Sequence, residues 1–152
     1  MTVPNDYQVI GDFNGNNYKM LIGYAAKHCN AFSLTKFKGF RYEQSATDLE
    51  RNLKPYLNES YLGLGTVGNY QKGSKVHQYF INNITLQILY SVNGLFEWKS
   101  PELLEDLILY IKGVYWLRTV THENLVFLNP LFTNHNKWAI QNLHIYVPEI
   151  KC

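Results

Sequence analysis

Leu107-Ile108-Leu109-Tyr110-Ile111, Lys112-Gly113, Val114-Tyr115-Trp116-Leu117-Arg118-Thr119-Val120, Thr121-His122-Glu123-Asn124 and Leu125-Val126-Phe127-Leu128 follow one another without interruption. β-branched and aromatic side chains fill the first two long runs, which meet at Gly113, and a third run follows the polar tetrad at 121–124. This pattern predicts a three-stranded antiparallel meander. Ser100-Pro101-Glu102 leads into it and Asn129-Pro130 ends it.

Working outward, Tyr18, Leu21, Ile22, Ala25 and Cys29 recur at helical spacing and predict a helix over about 17–29, capped by Asn16 or Asn17. An arm or edge strand at Tyr7, Val9 and Ile10 precedes it. Phe32 and Leu34 alternate with Ser33 and Thr35, the signature of a half-buried strand. A second helix starts at Ser45 and should end or kink near 54, because Pro55 removes a helical donor. Glycines dominate from Tyr61 to Ser74, a strand is predicted over 75–81, and Ile84, Ile88, Leu89 and Val92 return to helical spacing before Asn93-Gly94. A short helix or turn and a last strand near 143–147 complete the chain. The alternation of strand and helix stops after residue 94, so the expected class is α+β. One domain, 1–152, would hold a mainly antiparallel sheet of five or six strands with helices packed on one face.

The chain has 152 residues, enough for one domain that buries roughly 70% of its unfolded surface. A formal net charge of +2 with only one short basic cluster, Lys36-Phe37-Lys38 with Arg41, disfavours a nucleic-acid partner. No run approaches the about 18 apolar residues of a membrane span, and the first residues lack a signal pattern. Cys29 and Cys152 form no metal or disulfide spacing. A cytoplasmic protein is expected.

His122-Glu123 is the sharpest polar pair, flanked by Thr119 and Thr121, and could supply a base with its orienting carboxylate, a binding turn, or a hydrogen-bonded turn that sets hairpin register. The zinc pattern H-E-x-x-H is absent, since Val126 stands where the second histidine would be. Gly63-Leu64-Gly65-Thr66-Val67-Gly68 matches a dinucleotide-binding string, but no helix pattern follows it, so a loop is predicted. Cys29 beside His28 would point away from it on a helix. Glu102 and Asp106 read as loop residues leading into the meander. No cofactor or metal site is predicted.

The same stretch resembles a group of small proteins of Bacillus and its relatives that carry the label "stage III sporulation protein AH". Glu105-Asp106-Leu107, Gly113, Trp116, Thr119 and Thr121-His122-Glu123 carry the resemblance, with a weaker echo at Lys27-His28-Cys29 and Phe32-Ser33-Leu34. The resemblance implies a small soluble Firmicute protein without a known catalytic motif. The sporulation channel component of that name is membrane-anchored, and its role is not implied.

Small size, missing catalytic motifs and twelve tyrosines lead to a first expectation of a non-catalytic binding protein that inhibits or neutralises a protein partner, of the immunity, antitoxin-like or phage-encoded kind. A small-molecule or nucleotide sequestering protein is the alternative, using the glycine loop with Tyr61, Tyr70 or Trp116. A small enzyme using His122 and Glu123 is the third. The binding residues expected are Trp116, Thr119, Thr121, His122, Glu123, Tyr61 and Tyr70. A free sheet edge on the meander or the last strand would leave homo-oligomers open.

Overall fold

A computed structural model describes residues 6–62 and 74–148. Among the described residues, seven strands form one sheet: β1 (Tyr7–Val9), β2 (Ala31–Lys36), β3 (Leu57–Leu62), β4 (Lys75–Phe80), β5 (Glu105–Ile111), β6 (Val114–Val120) and β7 (Leu125–Leu128). Their order is β1-β7-β6-β5-β2-β4-β3, with every pairing antiparallel. Four helices accompany them: α1 (Asn16–His28), α2 (Gln44–Leu53), α3 (Asn83–Leu89) and α4 (Thr133–Leu143). The α+β class and the meander stand as expected.

One sheet face carries the main core. Phe32 and Leu34 of β2, Tyr79 of β4, Leu107, Leu109 and Ile111 of β5, and Trp116 and Leu117 of β6 pack there. The helices close it with Tyr18, Leu21, Ile22 and Ala25 of α1, Leu49 and Leu53 of α2, Leu89 of α3, and Ala139 and Leu143 of α4. On the reverse face a smaller cluster of Ala31, Ile108 and Tyr110 takes no helix residue. There the buried ion pair between Arg118 Nε and Asp6 Oδ2, 2.7 Å, ties the chain ahead of β1 to the meander, and the guanidinium lies 4.0 Å from the Phe127 ring.

Several sequence expectations need correction. The sheet has seven strands rather than five or six, because β3 follows α2 directly through a single 3-10 turn at Lys54–Tyr56. All six of its residues are exposed, so it shows no apolar alternation. The tail does not form a strand at 143–147. The positions to Leu143 belong to α4, Ile145 packs into the core, and Tyr146 makes an isolated bridge to Ile10. The meander is internal, and among the described residues the sheet edges are β1 and β3. Asp106 is no loop ornament: with Glu105 it opens β5, a strand buried along its whole length.

Local chemistry sets the ends of the helices. α2 stops at Leu53, where Pro55 can no longer donate. Asn82 caps α3 by accepting from the N–H groups of Ile84 and Thr85, while the Thr85 hydroxyl returns a bond to the Asn82 N–H. α3 ends at Leu89 rather than running on to Val92. α1 lacks the expected asparagine cap and instead starts after Gly15, whose φ of 57° suits glycine.

Tyr18 joins three elements in the core. Its hydroxyl donates to the Leu89 carbonyl at 2.5 Å and accepts from Trp98 Nε1 at 3.1 Å, with Tyr18 and Trp98 both buried. Tyr18→Phe leaves a buried carbonyl and a buried indole N–H without partners. It should lower unfolding free energy by about 1–3 kcal/mol in urea titrations, with little change in m-value.

Candidate functional site

The predicted binding residues do not converge. Trp116 is fully buried and donates through Nε1 to Asn136 Oδ1 of α4 at 2.8 Å, so its indole serves the core. Thr119 and Thr121 are buried too, and the Thr119 hydroxyl donates to the Leu107 carbonyl at 2.9 Å. Tyr61 lies on β3 beside Tyr110 of the reverse-face cluster, hydroxyl to hydroxyl 3.2 Å. Tyr70 and the 63–73 glycine stretch lie outside the described residues. His122 remains, exposed on a 3-10 turn at Thr121–Glu123 that Asn124 closes in the left-handed region.

Its carboxylate partner is Glu105, 17 residues upstream, and not the adjacent Glu123, which is exposed. His122 Nδ1 is hydrogen-bonded to Glu105 Oε2, while Glu105 Oε1 accepts from the Ser100 N–H at 2.9 Å. The Glu105 side chain is 2% exposed and that of His122 46%, so a buried carboxyl group orients a ring that is nearly half exposed. Next to it Asp106 sits at φ 58°, a region that non-glycine residues seldom occupy, and its Oδ1 accepts from the Thr121 N–H at 2.8 Å. Burial, reinforced by the Glu105 charge and opposed by the Thr121 hydrogen bond, pushes the Asp106 carboxyl up to about 7. The motif segments Glu105-Asp106-Leu107 and Thr119 to His122 thus meet in space. They lock the start of β5 to the end of β6.

From His122 a strip of rings leads across the sheet end. Phe40 stacks on His122 with centroids 5.9 Å apart, Tyr42 lies 6.0 Å from Phe40, and Lys36 Nζ stands 5.9 Å over the Tyr42 ring. Lys36 leads to a second histidine and carboxylate pair that sequence spacing did not disclose. His77 of β4 faces Leu34 of β2 and Ser60 of β3 in register, which puts it on the helix side of the sheet. Its Nδ1 is 2.7 Å from Ser60 Oγ, and its Nε2 is 3.1 Å from Oε2 of Glu50 on α2. That buried Nε2 is close enough for an ion pair yet outside hydrogen-bond alignment. Glu50 Oε1 accepts from Lys36 Nζ at 2.9 Å. Burial first, and then the Lys36 and Lys75 charges, pull the His77 pKa below the usual histidine value against the opposing pull of Glu50. Burial thus favours the neutral ring.

Two recesses flank this pair. One of about 350 Å³ lies between α2 and the sheet, lined by Thr47, Glu50, Arg51, Lys54, Leu57, His77 and Tyr79. The other, about 250 Å³, is lined by Lys36, Phe37, Lys38, Glu50, Lys75 and His77. Five of the chain's 14 basic side chains thus surround one groove against a single lining carboxylate, Glu50. Lys36 and Lys75 stand directly opposite each other on neighbouring strands, an arrangement that repels unless an anion intervenes. The sequence signal was the short cluster Lys36-Phe37-Lys38; only the β2–β4 register adds Lys75 and His77 to it. Among the described residues, no three His, Cys, Asp or Glu side chains converge to hold a metal ion.

Asp106 gives a pH-dependent test. A carboxyl whose folded pKa is raised holds its proton more tightly in the native state, so its contribution to stability is full in acid and is lost as pH rises through the span from about 4 to 7. Asp106→Asn keeps the acceptor for Thr121, tolerates positive φ and cannot ionise. At pH 8 it should unfold at higher denaturant than the parent, by up to about 4 kcal/mol, and the difference should shrink toward pH 4. Comparison of the chain with family models, with curated proteins and with solved structures finds no match.

Proposed function

We propose that the protein binds an anionic small molecule in the groove between α2 and β4, as a cytoplasmic sequestering protein for a phosphate-bearing or nucleotide-sized ligand. The observation that carries this reading is the charge around the 350 Å³ recess and its neighbour: Lys54, Lys38 and Lys75, with Lys36 paired to Glu50 at 2.9 Å and Arg51 to Asp48 at 2.8 Å. A recess of this size suits a small ligand, and Tyr79 and Leu57 supply apolar wall while the cations supply charge-assisted hydrogen bonds. Neutral His77 adds polarity without a fixed charge. In this reading the groove, and not the buried Trp116, is the seat of the sequestering function.

A protein partner is the second reading, favoured by β3. This six-residue edge strand is exposed at every position and presents Leu57, Tyr61 and Leu62. A partner strand could add there through main-chain hydrogen bonds, which is how an inhibitor or neutralising protein would dock.

Calorimetric titration with inorganic phosphate and a panel of nucleotides tests the first reading. Binding should weaken as ionic strength rises, and Lys75→Glu, at an exposed position, should weaken it at least about tenfold. No heat with any member of the panel, together with a second polypeptide retained at one-to-one stoichiometry in native mass spectra of protein from its host, would transfer the function to β3.

A further inference from the structure

We propose that Ser60, His77 and Glu50 form a nucleophilic triad that hydrolyses an ester carrying an anionic group. Three elements bring them together: Ser60 from edge strand β3, His77 from β4 and Glu50 from α2. Ser60 and His77 are direct cross-strand partners, Oγ to Nδ1 2.7 Å, and Glu50 Oε2 stands 3.1 Å from Nε2. The distances match a nucleophile, a base within hydrogen-bond reach of it, and a carboxylate close to the base's other nitrogen though not yet aligned with it. The two ring nitrogens exchange their more familiar duties, which costs nothing chemically, since a neutral imidazole has one donor and one acceptor in either tautomer. In the tautomer with the proton on Nε2, 3.1 Å from Glu50 Oε2 but not aligned with it, Nδ1 accepts the Ser60 O–H.

A purely structural role explains these contacts poorly. Ser60 is exposed and needs no protein partner, so its bond to His77 adds little stability. The His77 side chain is 12% exposed and leaves Nε2 buried without an aligned acceptor, a loose geometry that closure on a substrate would tighten. Lys36 pins the other oxygen of Glu50, which limits how the carboxylate can turn. Burial favours the neutral ring, the form that can take a proton.

The chemistry balances with water as the only co-reactant. Ser60 Oγ attacks the ester carbonyl carbon as its proton passes to His77 Nδ1, and positive charge from Lys75, two residues from His77 on the same face of β4, offsets the oxyanion. The carbon–oxygen bond to the alcohol then breaks, and the departing alkoxide takes the proton from His77. Water next gives a proton to His77 and attacks the acyl-serine, and Ser60 leaves with that proton. One ester and one water become one acid and one alcohol. The substrate class rests on the anionic-ligand reading of the groove, while the triad rests on its own three contacts.

An alkyl fluorophosphonate, which phosphonylates activated serines with loss of fluoride, tests the triad on the full chain. Peptide mass mapping should locate one adduct on Ser60, absent in Ser60→Ala and formed at least about a hundredfold more slowly in His77→Gln, with a smaller loss in Glu50→Gln. Circular dichroism establishes folding in each variant, and Glu50→Gln alone decides dependence on the triad if His77→Gln does not fold. No adduct on Ser60 in the folded protein, or labelling unaffected by the folded variants, overturns the triad. Phosphate calorimetry on Ser60→Ala separates the two claims: binding without labelling leaves the sequestering protein, and labelling without binding leaves an esterase for uncharged substrates and overturns the anionic substrate class.

Discussion

Pairing of β2 with β5 on one side and β4 on the other is the constraint on which the rest depends. β2 is buried from Ala31 to Thr35, so both faces of that strand are specified: Phe32 and Leu34 toward the helices, Ala31, Ser33 and Thr35 away from them. A slip of one residue would exchange the two sets, exposing the large side chains and burying the polar ones. Because the register opposes Leu34 to His77 and Lys36 to Lys75, the same packing that fixes the core also puts the histidine and both lysines on the side facing α2. Glu50 reaches them because Leu49 and Leu53 anchor α2 to that core. The groove is therefore a by-product of core phase, and its charge needs no further organising element.

The two histidine and carboxylate pairs differ in what surrounds them. At His122 the carboxylate is buried and saturated, its second oxygen bound by the Ser100 N–H, and the cluster closes the β5–β6 end of the sheet. Two adjacent buried carboxylates, Glu105 and Asp106, would be costly if both stayed charged, and the raised Asp106 pKa relieves that cost by keeping a proton. At His77 the carboxylate is only half-buried and is shared between a histidine and a lysine, beside open volume. The first arrangement stabilises; the second leaves charge unspent for a ligand.

Much of the fold was legible because its strongest signals are local. The apolar alternation around Gly113, the helical stripe Tyr18, Leu21, Ile22 and Ala25, and Pro55 at the end of α2 each depend on neighbours within a few residues. β3 was illegible because an edge strand exposed on both faces carries no burial pattern: Leu57-Asn58-Glu59-Ser60-Tyr61-Leu62 alternates nothing. Leu143, Ile145 and Val147 mimic a strand period, yet Leu143 ends a helix, His144 turns the chain at φ 53° and Ile145 packs against Gly11. In the candidate site the His122 turn was readable, but its partner Glu105 was not, since the pair forms only across the β5–β6 hairpin. His77, Ser60 and Glu50 come from three elements, and no spacing rule could have joined them.

The most direct measurement is a nitrogen and proton correlation spectrum of the labelled protein, including the histidine side chains, during titration with a nucleoside triphosphate. Binding in the groove predicts that the largest saturable shifts fall on the His77 ring, on Lys36 to Lys38 and on Glu50 to Lys54, while the His122 ring and the Trp116 indole stay unmoved. Shifts centred on His122, on the reverse face around Tyr110, or on no site at all would contradict the account.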